Sequence, residues 1–320
     1  MPPRPRSFWL LLGLWVAACD CGPAPRVGGP QPYVRCALAD VPASDPLTRG
    51  AVSLTREDRS LRLEGASPFL AYGVGPGATR ALKQLPERRV HLVLGGFART
   101  PEEAEGFLRV LGEHAALALL LPGGEDDAAI WANALDDAPA HLVDLAPYRE
   151  LALPGGRFSV VPGAPSAYAR GDGSCGFGLA DLALLDADEA EGHRWLLAWT
   201  APRRSGPGAV DLGYGAVHAG DARVAALFAR LGAVGGVYGW PRTQAGRGAS
   251  PRGEVRVPSS PAPDLEVVVP LLGTAVERFD GSLLPSGALE LAAGPSGLEV
   301  RSFLRARVES FARERGHSDR

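Results

Sequence analysis

The sequence predicts an α/β fold, because short apolar runs alternate with helical segments through the middle of the chain. Runs such as residues 89–94 and 115–121 are mostly apolar and end at Gly or Pro, as buried strands do. Between them lie stretches such as residues 100–111, whose apolar side chains recur at helical spacing. From residue 265 to 303 the chain has only short strand-like runs. Strands separated by helices are typical of a layered α/β domain.

Local chemistry supports the helix predicted at residues 100–111. Thr100 is suited to cap a helix, Pro101 fits its first turn, and Glu102 and Glu103 suit its positive end. The predicted strands lie at residues 89–94, 115–121, 157–161, 195–199, 234–238, 265–270, 275–279, 288–292 and 298–303, and the predicted helices at residues 100–111, 128–135, 180–188 and 221–231. Residues 242–263, rich in Gly, Pro and Ser, are predicted to be a loop, and residues 305–315 a polar terminal helix.

The first residues have the three parts of an export signal. Arg4 and Arg6 are positive, residues 8–18 are uninterruptedly apolar, and two alanines precede Cys19. The apolar run is shorter than the roughly 20 residues that a membrane-spanning helix needs. The pattern resembles the lipobox of bacterial lipoproteins, which implies cleavage before Cys19 and a diacylglycerol on its thiol. An ordinary signal peptide with a chance cysteine is the alternative.

This resemblance implies a location in the bacterial cell envelope, anchored by lipid and facing the periplasm. The membrane is then a partner through the lipid anchor. Asp20 follows the lipidation cysteine and resembles the inner-membrane retention signal of enteric bacteria. The choice between inner and outer membrane stays open, because that rule belongs to enteric bacteria.

Composition excludes one class of partner. The chain is 46% hydrophobic and 22% charged, with a formal net charge of −3, as expected for an ordinary core and surface. Nucleic-acid binding is not expected, because it calls for a basic stripe.

The cysteines suggest one disulfide. Lipidation uses Cys19, and Cys21 lies in the Pro- and Gly-rich segment that follows. Cys36 and Cys175 are therefore the candidate pair in an oxidising envelope, although sequence alone does not fix the pairing. No C-x-x-C pair suggests a cysteine-bound zinc site.

Four loops follow the predicted strands, where functional residues of open α/β sheets are found. They read Gly95-Gly96-Phe97-Ala98-Arg99, Pro122-Gly123-Gly124-Glu125-Asp126-Asp127, Trp199-Thr200-Ala201-Pro202-Arg203 and Gly239-Trp240-Pro241-Arg242. In order, spacing and framing residues, they resemble the calcineurin-like metallophosphoesterase family over residues 61–303. A glycine-rich run around His218 resembles a bacterial branch of that family. The resemblance implies a layered calcineurin-like phosphoesterase sandwich with flanking helices.

The places of the family's metal ligands hold other residues. Gly96 and Arg99 stand where the family has aspartates, and Gly124 and Glu125 stand where it has Asn and His. Trp199, Trp240 and Arg242 stand where it has histidines. Asp126 keeps the acidic residue of the family's second loop. The family's D-x-H motif is expected near residues 71–73, which read Ala-Tyr-Gly. Two metal ions need ligands converging at about 2.0–2.2 Å, and they generate the attacking hydroxide. We therefore expect a degenerate site with no catalytic residue, no metal and no other cofactor.

We predict four regions from these observations. Residues 1–18 form a lipoprotein signal peptide, residues 19–60 a lipid-anchored Pro/Gly-rich tether and lead-in, residues 61–303 the metallophosphoesterase-like domain and residues 304–320 a polar tail. The functional hypothesis is an inactive binding or scaffold module for an envelope protein or an anionic ligand. In a simpler version the two tryptophans only plug the cleft.

Two further hypotheses stay open. One is an active metal-dependent phosphoric ester hydrolase with relocated ligands, drawn from Glu125, Asp126, Asp211, Asp221 and His218. The other is a structural envelope lipoprotein. The acidic triplet of residues 125–127 is expected to cap a helix, with a remnant single-cation site as the alternative.

Overall fold

The computed structural model describes residues 33–307, with gaps at 43–44, 66–67, 167, 170–172, 186–191 and 206–208. The predicted signal peptide, Cys19, Cys21 and most of the predicted tail lie outside the described residues. The described residues all belong to one unit of the chain, Gln31–Arg320.

Strands dominate the described residues. They are β1 (Tyr33–Arg35), β2 (Leu47–Arg49), β3 (Val52–Glu57), β4 (Ser60–Glu64), β5 (Phe69–Val74), β6 (Val90–Leu94), β7 (Leu117–Leu121), β8 (Leu142–Asp144), β9 (Glu150–Leu153), β10 (Gly156–Val161), β11 (Ala164–Pro165), β12 (Ser174–Phe177), β13 (His193–Thr200), β14 (Gly235–Trp240), β15 (Gly248–Ser250), β16 (Gly253–Val255), β17 (Glu266–Val268), β18 (Leu271–Leu272), β19 (Val276–Glu277), β20 (Leu283–Leu284), β21 (Gly287–Gly294) and β22 (Gly297–Arg305).

Helices are fewer and mostly connect strands. Within the described residues they are α1 (Ala78–Leu82), α2 (Pro101–His114), α3 (Ala128–Asp136), α4 (Leu179–Leu182) and α5 (Ala222–Arg230), with short 3-10 turns at Cys36–Leu38, Tyr214–Ala216 and Arg242–Gln244. None of the helices in this part of the chain combines the length and apolar character needed to cross a membrane.

Two large sheets carry the fold. One has the order β16-β15-β17-β14-β13-β10-β9-β4-β3-β2, and the other has the order β22-β21-β5-β6-β7-β8, with β18 also paired to β5. The run β5 to β8 is parallel, as are β10, β13, β14 and β17. Parallel strands leave the loops after β6 and β7 at one edge of their sheet, and those after β13 and β14 at one edge of the other.

One apolar cluster contains residues from both large sheets. Leu92 and Leu119 come from one sheet, and Phe158 and Leu197 come from the other. Successive side chains of a strand point to opposite faces, so the neighbouring residues of β6 and β7 join a second cluster with α1, α2 and α3. A third cluster joins β13 and β14 to α5. The architecture is a mixed α/β fold with several sheets and few helices.

Most predicted elements of the central region are present. β6, β7, β10, β13 and β14 coincide with predicted strands within a few residues. The Thr100 hydroxyl accepts a 3.2 Å hydrogen bond from the backbone N–H of Glu103, so α2 begins with the predicted cap. Asp221 caps α5 by accepting bonds from the N–H groups of Arg223 and Val224. The predicted turns at residues 280–281 and 295–297 lie between paired antiparallel strands.

Several boundaries differ from the prediction. The predicted loop at residues 242–263 contains the β15–β16 hairpin, and β15 pairs with β17. These strands consist of Gly, Ala, Ser, Glu and Val, so backbone pairing rather than an apolar pattern defines them. The helix predicted at residues 180–188 is confined to α4 in the described part. β22 reaches Arg305, so the predicted tail and terminal helix both begin inside a strand.

Within the predicted lead-in, residues 19–60, the described residues include strands. β2 and β3 form antiparallel neighbours, and β3 pairs with β4 at the edge of the larger sheet. β1 pairs in parallel with β12. Described residues before position 61 therefore contribute strands to the sheets, while the predicted division into four regions stays a prediction.

Candidate functional site

The four loops picked out by the sequence lie at the ends of β6, β7, β13 and β14, and the first two residues of the last two loops still belong to the strands. The structure brings three of the loops into contact around one side chain. Trp199, the penultimate residue of β13, is 3% exposed. A β-carbon on Gly123 would lie 2.3 Å from Cδ1 of Trp199, and one on Gly239 would lie 2.9 Å from the same atom. One on Gly124 would lie 3.2 Å from Cζ3. The indole therefore occupies the space between these loops, and only glycine backbone leaves room for it.

A second tryptophan extends this aromatic surface. Trp240 stacks on Trp199, with ring centroids 5.4 Å apart and an interplanar angle of 16°. The ring centroid of Tyr168 lies 6.3 Å from that of Trp240, and the Tyr168 hydroxyl donates a 2.7 Å hydrogen bond to the carbonyl of Ala219. Trp240 and Tyr168 are half-buried. Sequence reasoning missed Tyr168, because no local pattern connects it to β14.

Asp126 is a fully buried carboxylate that fastens two loops together. Its oxygens accept hydrogen bonds from the backbone N–H groups of Gly96, Ala98 and Gly123, at 2.8 to 3.0 Å. Burial raises the pKa of Asp126, and these three N–H donors oppose the rise by stabilising the charged form. The oxygens of Asp126 are therefore engaged in holding the loop after β6 against the loop after β7.

The rest of the acidic triplet has separate structural partners. Glu125 forms an ion pair with Arg242, which joins the loop after β7 to the loop after β14. Asp127 caps α3 by accepting bonds of 2.9 and 3.0 Å from the N–H groups of Ala129 and Ile130. Helix capping, the preferred interpretation of the triplet, thus applies to Asp127, whereas its two neighbours connect loops.

The loop after β6 depends on glycine. Gly96 has a φ of 97°, and a β-carbon there would lie 2.3 Å from the carbonyl oxygen of Val74 at the end of β5. An aspartate could not occupy this conformation without moving the backbone. Nε of Arg99 lies 3.5 Å from a carboxylate oxygen of Glu103, one turn along α2. β5 itself runs to Val74, so the residues after this strand are 75–77 and not the expected 71–73.

His218 has a carboxylate partner that the sequence did not reveal. Its Nδ1 lies 3.1 and 3.2 Å from the oxygens of Asp211, which is fully buried and also accepts a bond from the N–H of Arg204. An antiparallel bridge between Leu212 and His218 closes the intervening residues and brings the pair together. The only signal in the sequence was two polar residues seven positions apart in a glycine-rich run.

The donor set does not fit the two metal ions that the family resemblance implies. The glycines and tryptophans at the matched positions carry no metal-binding side chain, and the oxygens of Asp126 already accept N–H bonds. Asp221 caps α5 and pairs with Arg223. Among the described residues, no three His, Cys, Asp or Glu side chains are grouped as a metal site would require.

Cys36 and Cys175 form a disulfide, with Cα atoms 5.6 Å apart. This is the pair that the sequence favours. It joins the 3-10 turn after β1 to β12, and both residues are buried.

Comparison with known proteins gives distant likenesses. No family model matches the chain, and no curated protein matches it. One solved structure shares 15% identity with a TM-score of 0.44, covering 60% of this chain and 90% of the other. The crystal structure of TT1561 of Thermus thermophilus shares 15% identity with a TM-score of 0.38, covering 68% of this chain and 97% of the other. Likenesses this distant assign neither a family nor an activity.

Proposed function

We propose that this chain is a bacterial envelope lipoprotein, anchored through Cys19, whose domain is a catalytically inactive metallophosphoesterase-like sandwich acting as a binding or scaffold module. The export pattern of the first residues supports the anchor. The order of the four loops, and the core shared by the two large sheets, support the layered sandwich.

The position of Trp199 is the observation that carries the inactive part of this proposal. Its indole lies against Gly123, Gly124 and Gly239, in the space between loops where ligands would have to converge. A buried indole is an apolar group with one N–H donor, and it neither coordinates a cation nor activates water. The engaged oxygens of Asp126 reinforce this argument.

The aromatic surface supports a binding role. Tyr168 and Trp240 are half-buried, and Arg242, two residues after Trp240, is neutralised by its ion pair with Glu125. Tryptophan, tyrosine and arginine are the residue types that dominate protein–protein hot spots. An envelope protein therefore fits this surface better than a small anion does.

One observation supports the alternative of an active hydrolase with relocated ligands, namely the contact between Asp211 and His218. A buried carboxylate on Nδ1 orients an imidazole and leaves Nε2 as a base or ligand. The other residues of that hypothesis, namely Glu125, Asp126 and Asp221, are engaged in loop contacts or helix capping.

An activity assay separates these functions. The full chain, extracted in detergent, is assayed for hydrolysis of bis(p-nitrophenyl) phosphate with and without added Mn²⁺. We expect turnover no higher than that of Mn²⁺ alone, and the same result for His218→Asn and for the control His193→Asn. Metal-dependent turnover that is lost in His218→Asn and kept in His193→Asn would establish the hydrolase instead.

A further inference from the structure

A cavity lies at the opposite end of the parallel strands from the tryptophans. It has a volume of about 570 Å³ and is lined by the turn between β2 and β3, the start of β6 and the end of α2. This volume is within the range of about 300–1,000 Å³ that is usual for small-molecule sites. None of its lining residues belongs to the four loops described above, so it is independent of the proposed function.

Three arginines from two separate segments line this cavity. Arg49 ends β2, and Arg88 and Arg89 precede β6, while Glu113 is the acidic lining residue. In a chain of net charge −3, this cluster is a local positive feature.

The three arginines differ in how they are held. Arg89 donates a 2.7 Å bond to Glu290 and a weaker one of 3.3 Å to the carbonyl of Pro68, so its charge is already compensated. Arg49 and Arg88 are exposed, and their guanidinium groups have neither a hydrogen-bond acceptor nor a carboxylate partner within the part of the chain described. Arg49 and Arg88 therefore place two positive charges in the cavity lining that form no ion pair within the described residues, against the single negative charge of Glu113.

The backbone fixes where Arg88 emerges. Arg88 has a φ of 54°, a left-handed conformation that is uncommon for residues other than glycine, and its N–H donates a 2.8 Å bond to the carbonyl of His114. Arg49 is paired across the short turn with Val52. Both side chains thus start from hydrogen-bonded positions beside the cavity.

Guanidinium groups bind oxyanions through paired N–H donors, and phosphate suits this geometry especially well. We propose that this cavity binds a phosphate group through Arg49 and Arg88. The group belongs either to a soluble phosphorylated molecule or to an anionic lipid headgroup.

Inorganic pyrophosphate is the probe for the soluble source. Binding to the full chain, carrying Cys19→Ser to remove the lipid, is measured by calorimetry at low salt. We expect the double variant Arg49→Gln with Arg88→Gln to bind at least about tenfold more weakly. The control Arg252→Gln removes one positive charge, as each single variant does, from an exposed turn between β15 and β16, and it should bind as the parent does. The single variants Arg49→Gln and Arg88→Gln each give a partial loss.

Vesicles distinguish the two sources. The same proteins are sedimented with phosphatidylglycerol vesicles and with phosphatidylcholine vesicles. Arginine-dependent binding to phosphatidylglycerol alone supports a lipid headgroup, whereas arginine-dependent pyrophosphate binding without vesicle binding supports a soluble ligand. The proposal is overturned if neither probe binds, if the double variant binds as tightly as the parent, or if Arg252→Gln weakens binding as much as Arg49→Gln or Arg88→Gln does.

Discussion

Asp126 is a structural carboxylate that joins two loops. Its carboxylate is fully buried, and backbone N–H groups from two loops converge on it. A buried charge is stable only when such donors surround it, and each donor depends on the charge in turn.

Removing this carboxylate should therefore destabilise the fold. For Asp126→Ala we expect a loss of about 3–5 kcal/mol in the free energy of unfolding, because three buried N–H groups lose their acceptor. Asp136→Ala, on the exposed side of α3, should change stability by less than about 0.5 kcal/mol. Urea denaturation followed by circular dichroism measures both. Equal stability of Asp126→Ala and wild type would show that the loops do not depend on this carboxylate.

His91 gives a second prediction at the residue scale. It is buried in β6, with Nδ1 2.8 Å from the hydroxyl of Tyr72, and desolvation together with the charges of His114 and Arg89 lowers its pKa to about 3. The unfolded chain takes up a proton below about pH 6.5, while the folded chain does so only near pH 3. The native state therefore loses stability as pH falls through this window.

The magnitude follows from this linkage. Between about pH 7 and about pH 5, His91 should remove about 2 kcal/mol from the free energy of unfolding. His91→Gln should lose that share of the pH dependence, whereas His193→Gln, which keeps His91, should retain it. Urea titrations at the two pH values measure the difference. Parallel pH profiles for wild type and His91→Gln would contradict the assignment.

At the scale of elements, those with local sequence signals were predictable, and those that form only by pairing with another strand were not. α2 was predictable because Thr100 and Pro101 are local start signals, and β6 and β7 because buried parallel strands are predominantly apolar. β15 and β16 were not predictable, because segments of Gly, Ala and Ser form strands here only by pairing with a neighbouring strand. The contact of Asp211 with His218 was not predicted for the same reason, because an antiparallel bridge between Leu212 and His218 brings the two residues together.

The disulfide links elements far apart in the chain. Cys36 and Cys175 are separated by 139 residues, so their bond ties the lead-in to β12. We expect Cys36→Ser with Cys175→Ser to lose about 2–5 kcal/mol of unfolding free energy. Dithiothreitol should lower the stability of wild type to that of the double variant, and leave the variant unchanged. Two alkylatable thiols at these positions in unreduced protein would contradict the pairing.

At the scale of the whole molecule, the sequence predicted the alternation of strands and helices in the central region but not the assembly of the sheets. The alternation of strands and helices indicated an α/β fold, and the four loops were placed after the correct strands. The order of each sheet depends on pairings such as β4 with β9, and no local pattern encodes these. Within the candidate site, the packing of Trp199 on glycine backbone could not be read from residue types alone.

Anchoring is a prediction about the whole protein. Wild type should enter the detergent phase of Triton X-114, and Cys19→Ser should lose both the diacylglycerol mass and this partitioning. Cys21→Ser is the matched control, because it changes a neighbouring cysteine and leaves the lipobox pattern intact. Unchanged partitioning of Cys19→Ser would contradict lipid attachment at this residue.

Metal content tests the central claim most directly. The full chain is incubated with Mn²⁺, passed through a desalting column and analysed by inductively coupled plasma mass spectrometry. Since Trp199 lies in the space between the loops and the oxygens of Asp126 accept backbone N–H bonds, we expect far less than one ion per chain, unchanged in Asp211→Asn. Two ions per chain, reduced by Asp211→Asn or Asp126→Asn, would contradict the account of an inactive, tryptophan-filled site.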